Sequence, residues 1–315
     1  MDLAISVLYV AVGVLLLYLG AEGLVRGSAD LALRFGLSPL VVGLTVVALG
    51  TSSPELVVAL EAAIKGNGDI AVGSVVGSNI SNLALILGAT VLLQPLVIRK
   101  ELTTLYMPIV VGCSVVLVAM LLDGRLERWE GIVLAIGLAG FLLFNGWRAP
   151  AGKPLVSGPI RLTPQGGAGL PWLSGVFVVA GLALLVFGAD LLLKGATSAA
   201  EVLGISQAVI GLTMVAVGTS LPELATTTVA ALKRESDLAV GNLIGSNVLN
   251  VLGVLGITAV VSPLHSQGVS TADLGVMLGV ALLTLVLMRT GYSLRRWEGA
   301  LLVACYGVYI WHLTR

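Results

Sequence analysis

Apolar residues run through the chain in long blocks, and polar or charged residues punctuate them at near-regular intervals. A bilayer core of roughly 30 Å is crossed by about 20 apolar residues in a helix, and blocks of that length recur ten times. The predicted spans are 4–25, 38–64, 70–94, 103–122 and 129–147, followed by 172–193, 206–232, 238–262, 271–288 and 297–313. Between the fifth and sixth lies the one long polar stretch, Arg148 to Pro171, whose Pro- and Gly-rich composition reads as a linker.

The interruptions repeat. GLTVVALGTSSPEL from Gly43 returns as GLTMVAVGTSLPEL from Gly211, and GSVVGSNISN from Gly73 returns as GNLIGSNVLN from Gly241. Without a gap, 27 of 54 positions are identical between 43–96 and 211–264, more than shared hydrophobicity produces. Gly36 with Gly204, and Arg128-Trp129-Glu130-Gly131 with Arg296-Trp297-Glu298-Gly299, keep the same offset, so 1–147 and 172–315 are two copies joined by a linker at 148–171. Five helices per copy is an odd number, which makes the second copy enter the membrane from the opposite face. The expected fold is an all-α membrane protein of ten transmembrane helices in two inverted-topology repeats of five, an architecture that secondary transporters use around a midplane site.

Composition agrees. With 57% hydrophobic and 11% charged residues and a mean hydropathy of +1.05, there is too little polar surface to close a soluble globule. The formal net charge is zero and no basic run stands out, so the expected partners are the lipid bilayer and inorganic cations, with no nucleic acid. Of the 17 Lys and Arg, 12 fall on one predicted side, among them Arg99, Lys100, Lys153 and Lys233. The positive-inside rule makes that side cytoplasmic, with the linker inside and both termini outside a plasma (inner) membrane. Asp2 follows Met1 with no basic region before the first apolar run, which reads as a retained helix. Cys113 and Cys305 lie in apolar runs and supply neither a disulfide framework nor a metal cluster.

Candidate chemistry sits where two helices should break. Gly50-Thr51-Ser52-Ser53-Pro54 and Gly218-Thr219-Ser220-Leu221-Pro222 fall halfway along the second and seventh spans. Proline removes a backbone donor and disturbs the preceding turn, and the carbonyls so released need a neighbour or an ion in place of water. Glu55 and Glu223 follow directly. A charge at that depth costs several kcal/mol, and no Lys, Arg or His lies in any predicted helix core to offset it. A bound cation is the obvious counter-charge, two carboxylates matching one divalent ion or two or more monovalent ones. The plain alternative makes Ser52-x-x-Glu55 and Ser220-x-x-Glu223 capping boxes that restart the broken helices.

Ser78 and Asn82 are four residues apart, as are Ser246 and Asn250, so each pair shares a helical face. With Thr51, Ser52, Thr219 and Ser220 they form a set of oxygen donors suited to hard cations such as Ca2+ and Na+ rather than to zinc or copper. The alternative is that these groups only hydrogen-bond helix to helix, the preferred reading for Asn79 and Asn247, which point away from that face. Gly73-x-x-x-Gly77 and Gly241-x-x-x-Gly245 would allow close backbone approach. Glu22 with Arg26 and Asp190 with Lys194 read as interfacial ion pairs. Lys65 with Asp69 and Lys233 with Asp237 read as solvated turns, His265 and His312 as segment-end residues, and Trp129, Trp297 and Trp311 as interfacial anchors.

Those residues resemble the alpha repeats of the cation/Ca2+ exchangers, in Gly50 to Leu56 with Gly77 to Asn82, and again in Gly218 to Leu224 with Gly245 to Asn250. The resemblance implies an antiporter moving Ca2+ against Na+, H+ or K+. It also implies ions bound by Glu55 and Glu223, with Thr51, Ser52, Ser78, Asn82, Thr219, Ser220, Ser246 and Asn250 completing the site. The chain departs from sodium/calcium exchangers that carry an aspartate at the position of Asn250, and it lacks a large cytosolic insertion. No cofactor is called for, and no His, Cys or Asp pair sits at mid-depth to support an enzyme. A passive cation channel is the rival from another class.

Overall fold

The computed structural model describes residues 3–148, 171–202, 218–266 and 268–313. The chain is a helical, multi-pass membrane protein. Its helices are α1 (Leu3–Phe35), α2 (Pro39–Thr51), α3 (Ser53–Ile64), α4 (Gly68–Leu93), α5 (Leu102–Asp123), α6 (Arg128–Arg148), α7 (Pro171–Val202), α8 (Leu221–Leu232), α9 (Ser236–Val261), α10 (Thr271–Arg289) and α11 (Arg296–Leu313). Among the described residues seven are long and apolar enough to cross a membrane, or eight if the bent pair α2 and α3 is one span. Of the other two expected spans, α11 carries Arg296, Glu298 and His312 within its 18 residues. The remaining one, 206–232, falls partly outside the described residues, as does most of the expected linker.

The bend between α2 and α3 is 43° and has an identifiable cause. Ser52 leaves the helical region with φ −85° and ψ 5°, and Pro54 enters the first turn of α3, where its missing N–H would have had no partner anyway. Ser220 repeats this at φ −88° and ψ 4°, ahead of Pro222. Neither serine caps its helix through its side chain, so the capping-box alternative fails and the two hydroxyls are free for other work.

α4 and α9 form the centre: 72% and 83% of their most apolar windows are buried, against 22% for α1 and 28% for α7. Each contains a widened π-helical turn, at Ser81–Ile86 and Asn250–Leu255. Such turns cluster at functional positions because they re-aim side chains out of the regular ladder.

Lipid tails are as apolar as leucine, so helix association in a membrane relies on close packing of small residues. The antiparallel pair α1 and α7 shows this clearly. A Cβ on Gly20 would lie 2.8 Å from Gly181 O, one on Gly188 2.9 Å from Gly13 O, and one on Gly195 2.7 Å from Ser6 O. The three glycines at 13, 20 and 27 and their copies at 181, 188 and 195 recur every seven residues, so one stripe of each helix meets the other backbone to backbone. Gly241 and Gly245 behave as expected, with a Cβ on Gly245 only 2.6 Å from Leu44 O. Gly73 and Gly77 make no comparable approach among the described residues.

Two short antiparallel strand pairs interrupt the all-helical expectation and interlock the copies. β1 (Leu96–Val97) pairs with β4 (Ser293–Leu294), and β2 (Arg125–Leu126) with β3 (Leu264–His265). The repeated Arg-Trp-Glu-Gly has a structural role at two helix starts. Glu130 accepts from Glu127 N at 2.8 Å, and Glu298 accepts from Arg295 N at 2.6 Å and Thr290 Oγ1 at 2.9 Å. Trp129, Trp297 and Trp311 are exposed, as interfacial anchors should be.

The expectation of solvated turns at Lys233 and Asp237 is corrected. Lys233 Nζ pairs with Glu22 on α1 at 2.5 Å, and Arg99 Nε pairs with Asp237 at 2.5 Å, each joining the two copies. Asp69 accepts from Gly268 N at 2.7 Å. Glu22 with Arg26 at 3.5 Å and Asp190 with Lys194 at 2.7 Å are ion pairs as read from the sequence.

Candidate functional site

The helix breaks and the widened turns converge at mid-protein. Glu55, Ser78, Asn82, Glu223, Ser246 and Asn250 are fully buried, and Thr51, Ser52 and Ser220 nearly so. Thr219 is partly exposed.

Each carboxylate is served by a serine of its own copy at the same distance. Ser78 Oγ donates to Glu55 Oε1 at 3.4 Å, and Ser246 Oγ donates to Glu223 Oε1 at 3.4 Å. The copies then cross over. Ser52, released from capping, donates to Glu223 Oε1 at 3.2 Å, while Ser220 meets Ser78 Oγ at 3.1 Å. The Thr219 hydroxyl faces Glu55 and the Thr51 hydroxyl faces Glu223, and the two carboxylates are close enough for their charges to repel. These bonds are long, and contacts near 3.4 Å are weak. Hydroxyls held this loosely can turn toward a bound ion at small cost.

The unpartnered atoms are more telling. Glu55 Oε2, Glu223 Oε2, Asn82 Oδ1 and Nδ2, and Asn250 Oδ1 are buried without a hydrogen-bond partner among the described residues. An unpaired buried carboxylate oxygen is expensive. Among the described residues no Lys, Arg or His pairs with either glutamate. Nor does any group of three or more His, Cys, Asp or Glu gather there, so the donor set is two carboxylates surrounded by neutral oxygens. That is the chemistry of a hard, oxygen-seeking cation.

Nine of the ten residues singled out from the sequence contact one another here, and buried Asn82, one turn beyond Ser78 on α4, makes no hydrogen bond among the described residues. Asn79 hydrogen-bonds helix to helix, as read from the sequence, and its partner Asn250 ties it to the network. Its Oδ1 accepts from Asn250 Nδ2 at 3.1 Å and its Nδ2 donates to Asn247 O at 3.4 Å. Asn250 Nδ2 also donates to Ser78 Oγ at 3.1 Å. Asn242 and Thr227 were missed. Asn242 lies four residues before Ser246 on α9, and its replacement of Ser74 between the copies was the available signal.

Comparison with known proteins places this arrangement in context. The family model described as sodium/calcium exchanger protein matches residues 5–147 and 173–315. The chain is 38% identical to the putative antiporter CaxA of Alkalimonas amylolytica over 96% of each sequence. It is 31% identical to the sodium/calcium exchanger MaX1 of Methanosarcina acetivorans over 98% of each. Its fold superposes on the sodium-calcium exchanger NCX_Mj, soaked with zero Na+ and Ca2+, with a TM-score of 0.85 and 30% identity, covering 99% of this chain and 100% of the other.

Proposed function

The chain belongs to the sodium/calcium exchanger family, and we propose that it is a secondary active antiporter exchanging Ca2+ for Na+ at the buried site of Glu55 and Glu223. One observation carries the reading: two fully buried carboxylates, each with an oxygen unpartnered and no basic side chain to neutralise it among the described residues. Two negative charges balance one Ca2+ or two Na+. Thr51, Ser52, Ser78, Asn82, Thr219, Ser220, Ser246 and Asn250 complete the donor set.

Coupling follows from electrostatics. An empty site would carry two uncompensated charges past an apolar barrier, which is costly. The site therefore changes its accessible side only when loaded, by either ion, and competition for the same carboxylates links the two fluxes.

In the proposed architecture ten spans form two inverted repeats, 1–147 and 172–315, joined by a cytoplasmic linker at 148–171. Both termini lie outside a plasma membrane. The antiparallel packing of α1 on its copy α7 and the two halves matched by the family model support it.

The test is calcium-45 uptake into liposomes containing the purified protein, with an outward Na+, H+ or K+ gradient imposed in turn. Uptake driven by Na+ is expected. Uptake driven only by H+ or K+ would reassign the counter-ion, and downhill flux indifferent to every gradient would replace the antiporter by a passive pore.

A further inference from the structure

The buried polar network extends beyond the duplicated motifs, on one side only. Thr51 Oγ1 donates to Asn242 Oδ1 at 3.2 Å, and Asn242 Nδ2 donates to Thr227 Oγ1 at 3.3 Å. All three side chains are buried. The first copy has no equivalent, since Ser74 and Ala59 stand where the second has Asn242 and Thr227. Ser74 spends its hydroxyl on Ala71 O, within its own helix, at 2.9 Å. Among the described residues Thr219, the counterpart of Thr51, thus has no amide behind it.

A threonine hydroxyl has one proton and two lone pairs. Around the Thr51 oxygen lie Asn242 Oδ1, the Ser246 hydroxyl at 3.5 Å, Ala48 O at 3.4 Å and the Glu223 carboxylate. A proton given to Glu223 stands between that carboxylate and an arriving cation. A proton drawn back to Asn242 leaves the lone pairs facing the site. In the structure Nδ2 donates to Thr227 and the oxygen faces Thr51. An amide turned the other way would donate into Thr51 and occupy a lone pair the ion needs.

We propose that Asn242, anchored at its amide nitrogen by Thr227, is a positioning residue that draws the Thr51 proton away from the site so that Thr51 presents its oxygen to the cation beside Glu223. The proposal rests on the exchanger reading, with Thr51 among the ligands. It makes the two halves of the site unequal, with a pre-set hydroxyl beside Glu223 and an unsupported one beside Glu55.

The test uses the purified full-length protein in Na+-loaded liposomes, with initial calcium-45 uptake measured over a range of Ca2+ concentrations. Asn242→Ser installs the residue of the first copy. Loss of one net hydrogen bond predicts an apparent KM for Ca2+ raised about three- to tenfold, with the maximal rate within about twofold of wild type. Thr227→Ala shifts KM the same way by less. Thr51→Val shifts it at least as far as Asn242→Ser, and combining the two adds nothing, as expected when one residue acts through the other. An unchanged KM in Asn242→Ser, a fall in maximal rate alone, or a combined effect equal to the product of the single ones overturns the proposal. Should Asn242→Ser fail to give folded protein by size exclusion, the cycle of Thr227→Ala with Thr51→Val decides on the same criteria. Wild-type protein that takes up no calcium sinks the exchanger reading itself, an outcome distinct from a functional wild type with an indifferent Asn242.

Discussion

The two copies of the repeat present the same carboxylate in unequal surroundings. Glu223 Oε1 receives hydroxyls from both copies, Ser52 and Ser246, and Thr51 beside it is backed by Asn242. Glu55 Oε1 receives Ser78, with the Thr219 hydroxyl facing the carboxylate, while Ser220, which symmetry would send to Glu55, bonds to Ser78 instead. The asymmetry continues at the ends of the broken helices. Lys233, at the end of α8, pairs with Glu22 of α1, whereas its copy Lys65, at the end of α3, pairs with exposed Glu61 on its own helix. Duplication thus supplied matching ligands, and divergence outside the motifs made one half of the site tighter and better tied to the rest of the fold.

Substitutions at paired positions sharpen the contrast. The largest difference is expected between Ser52→Ala and Ser220→Ala. Removing Ser52 takes both its long hydrogen bond to a buried carboxylate and a hydroxyl oxygen from the proposed donor set, together about 1.5 kcal/mol. Ser52→Ala should therefore raise the KM for calcium uptake by at least about tenfold, and Ser220→Ala by clearly less. Equal effects would erase the proposed inequality.

Asn250→Ala and Asn82→Ala should differ in stability more than in transport. Asn250 holds Ser78 and Asn79, so its loss leaves buried partners unsatisfied at about 1–3 kcal/mol and lowers the melting temperature of the ion-free protein by several degrees. Asn82 has no partner to lose among the described residues. Its alanine variant should melt within about a degree of wild type without ions, yet gain less stability on adding Ca2+, as binding linkage requires. Equal melting of the two ion-free variants would break the distinction.

The smallest effects lie in the turns. Gly66 and Gly124 adopt φ of 77° and 73°, and their copies are Arg234 at 64° and Tyr292 at 51°. A side chain in that region costs about 1–2 kcal/mol, offset in part by the chain entropy of glycine, about 0.5–1 kcal/mol. Arg234→Gly and Tyr292→Gly should each raise the melting temperature by about one or two degrees and leave uptake untouched.

Much of this was legible in the sequence. A glutamate after a proline inside an apolar block, written twice, marks a broken helix carrying a charge that needs a counter-ion, and the Ser78/Asn82 spacing places two oxygens on one helical face. What stayed hidden depended on contacts between copies. Nothing local reveals that Ser52 abandons its own helix for Glu223, or that Lys233 reaches Glu22 across the fold. The seven-residue glycine stripe of α1 was visible as composition but gained meaning only against its antiparallel copy. Asn79 bonds helix to helix as read, but its partner Asn250 comes from the other repeat and helical phase alone could not name it.

The central claim is that Glu55 and Glu223 together hold the transported calcium. Calcium-45 uptake into Na+-loaded liposomes by Glu55→Gln and Glu223→Gln, each checked for wild-type elution and melting, tests it most directly. The account predicts that both variants fold and that neither transports calcium above protein-free liposomes. Uptake near the wild-type rate by either one would contradict it.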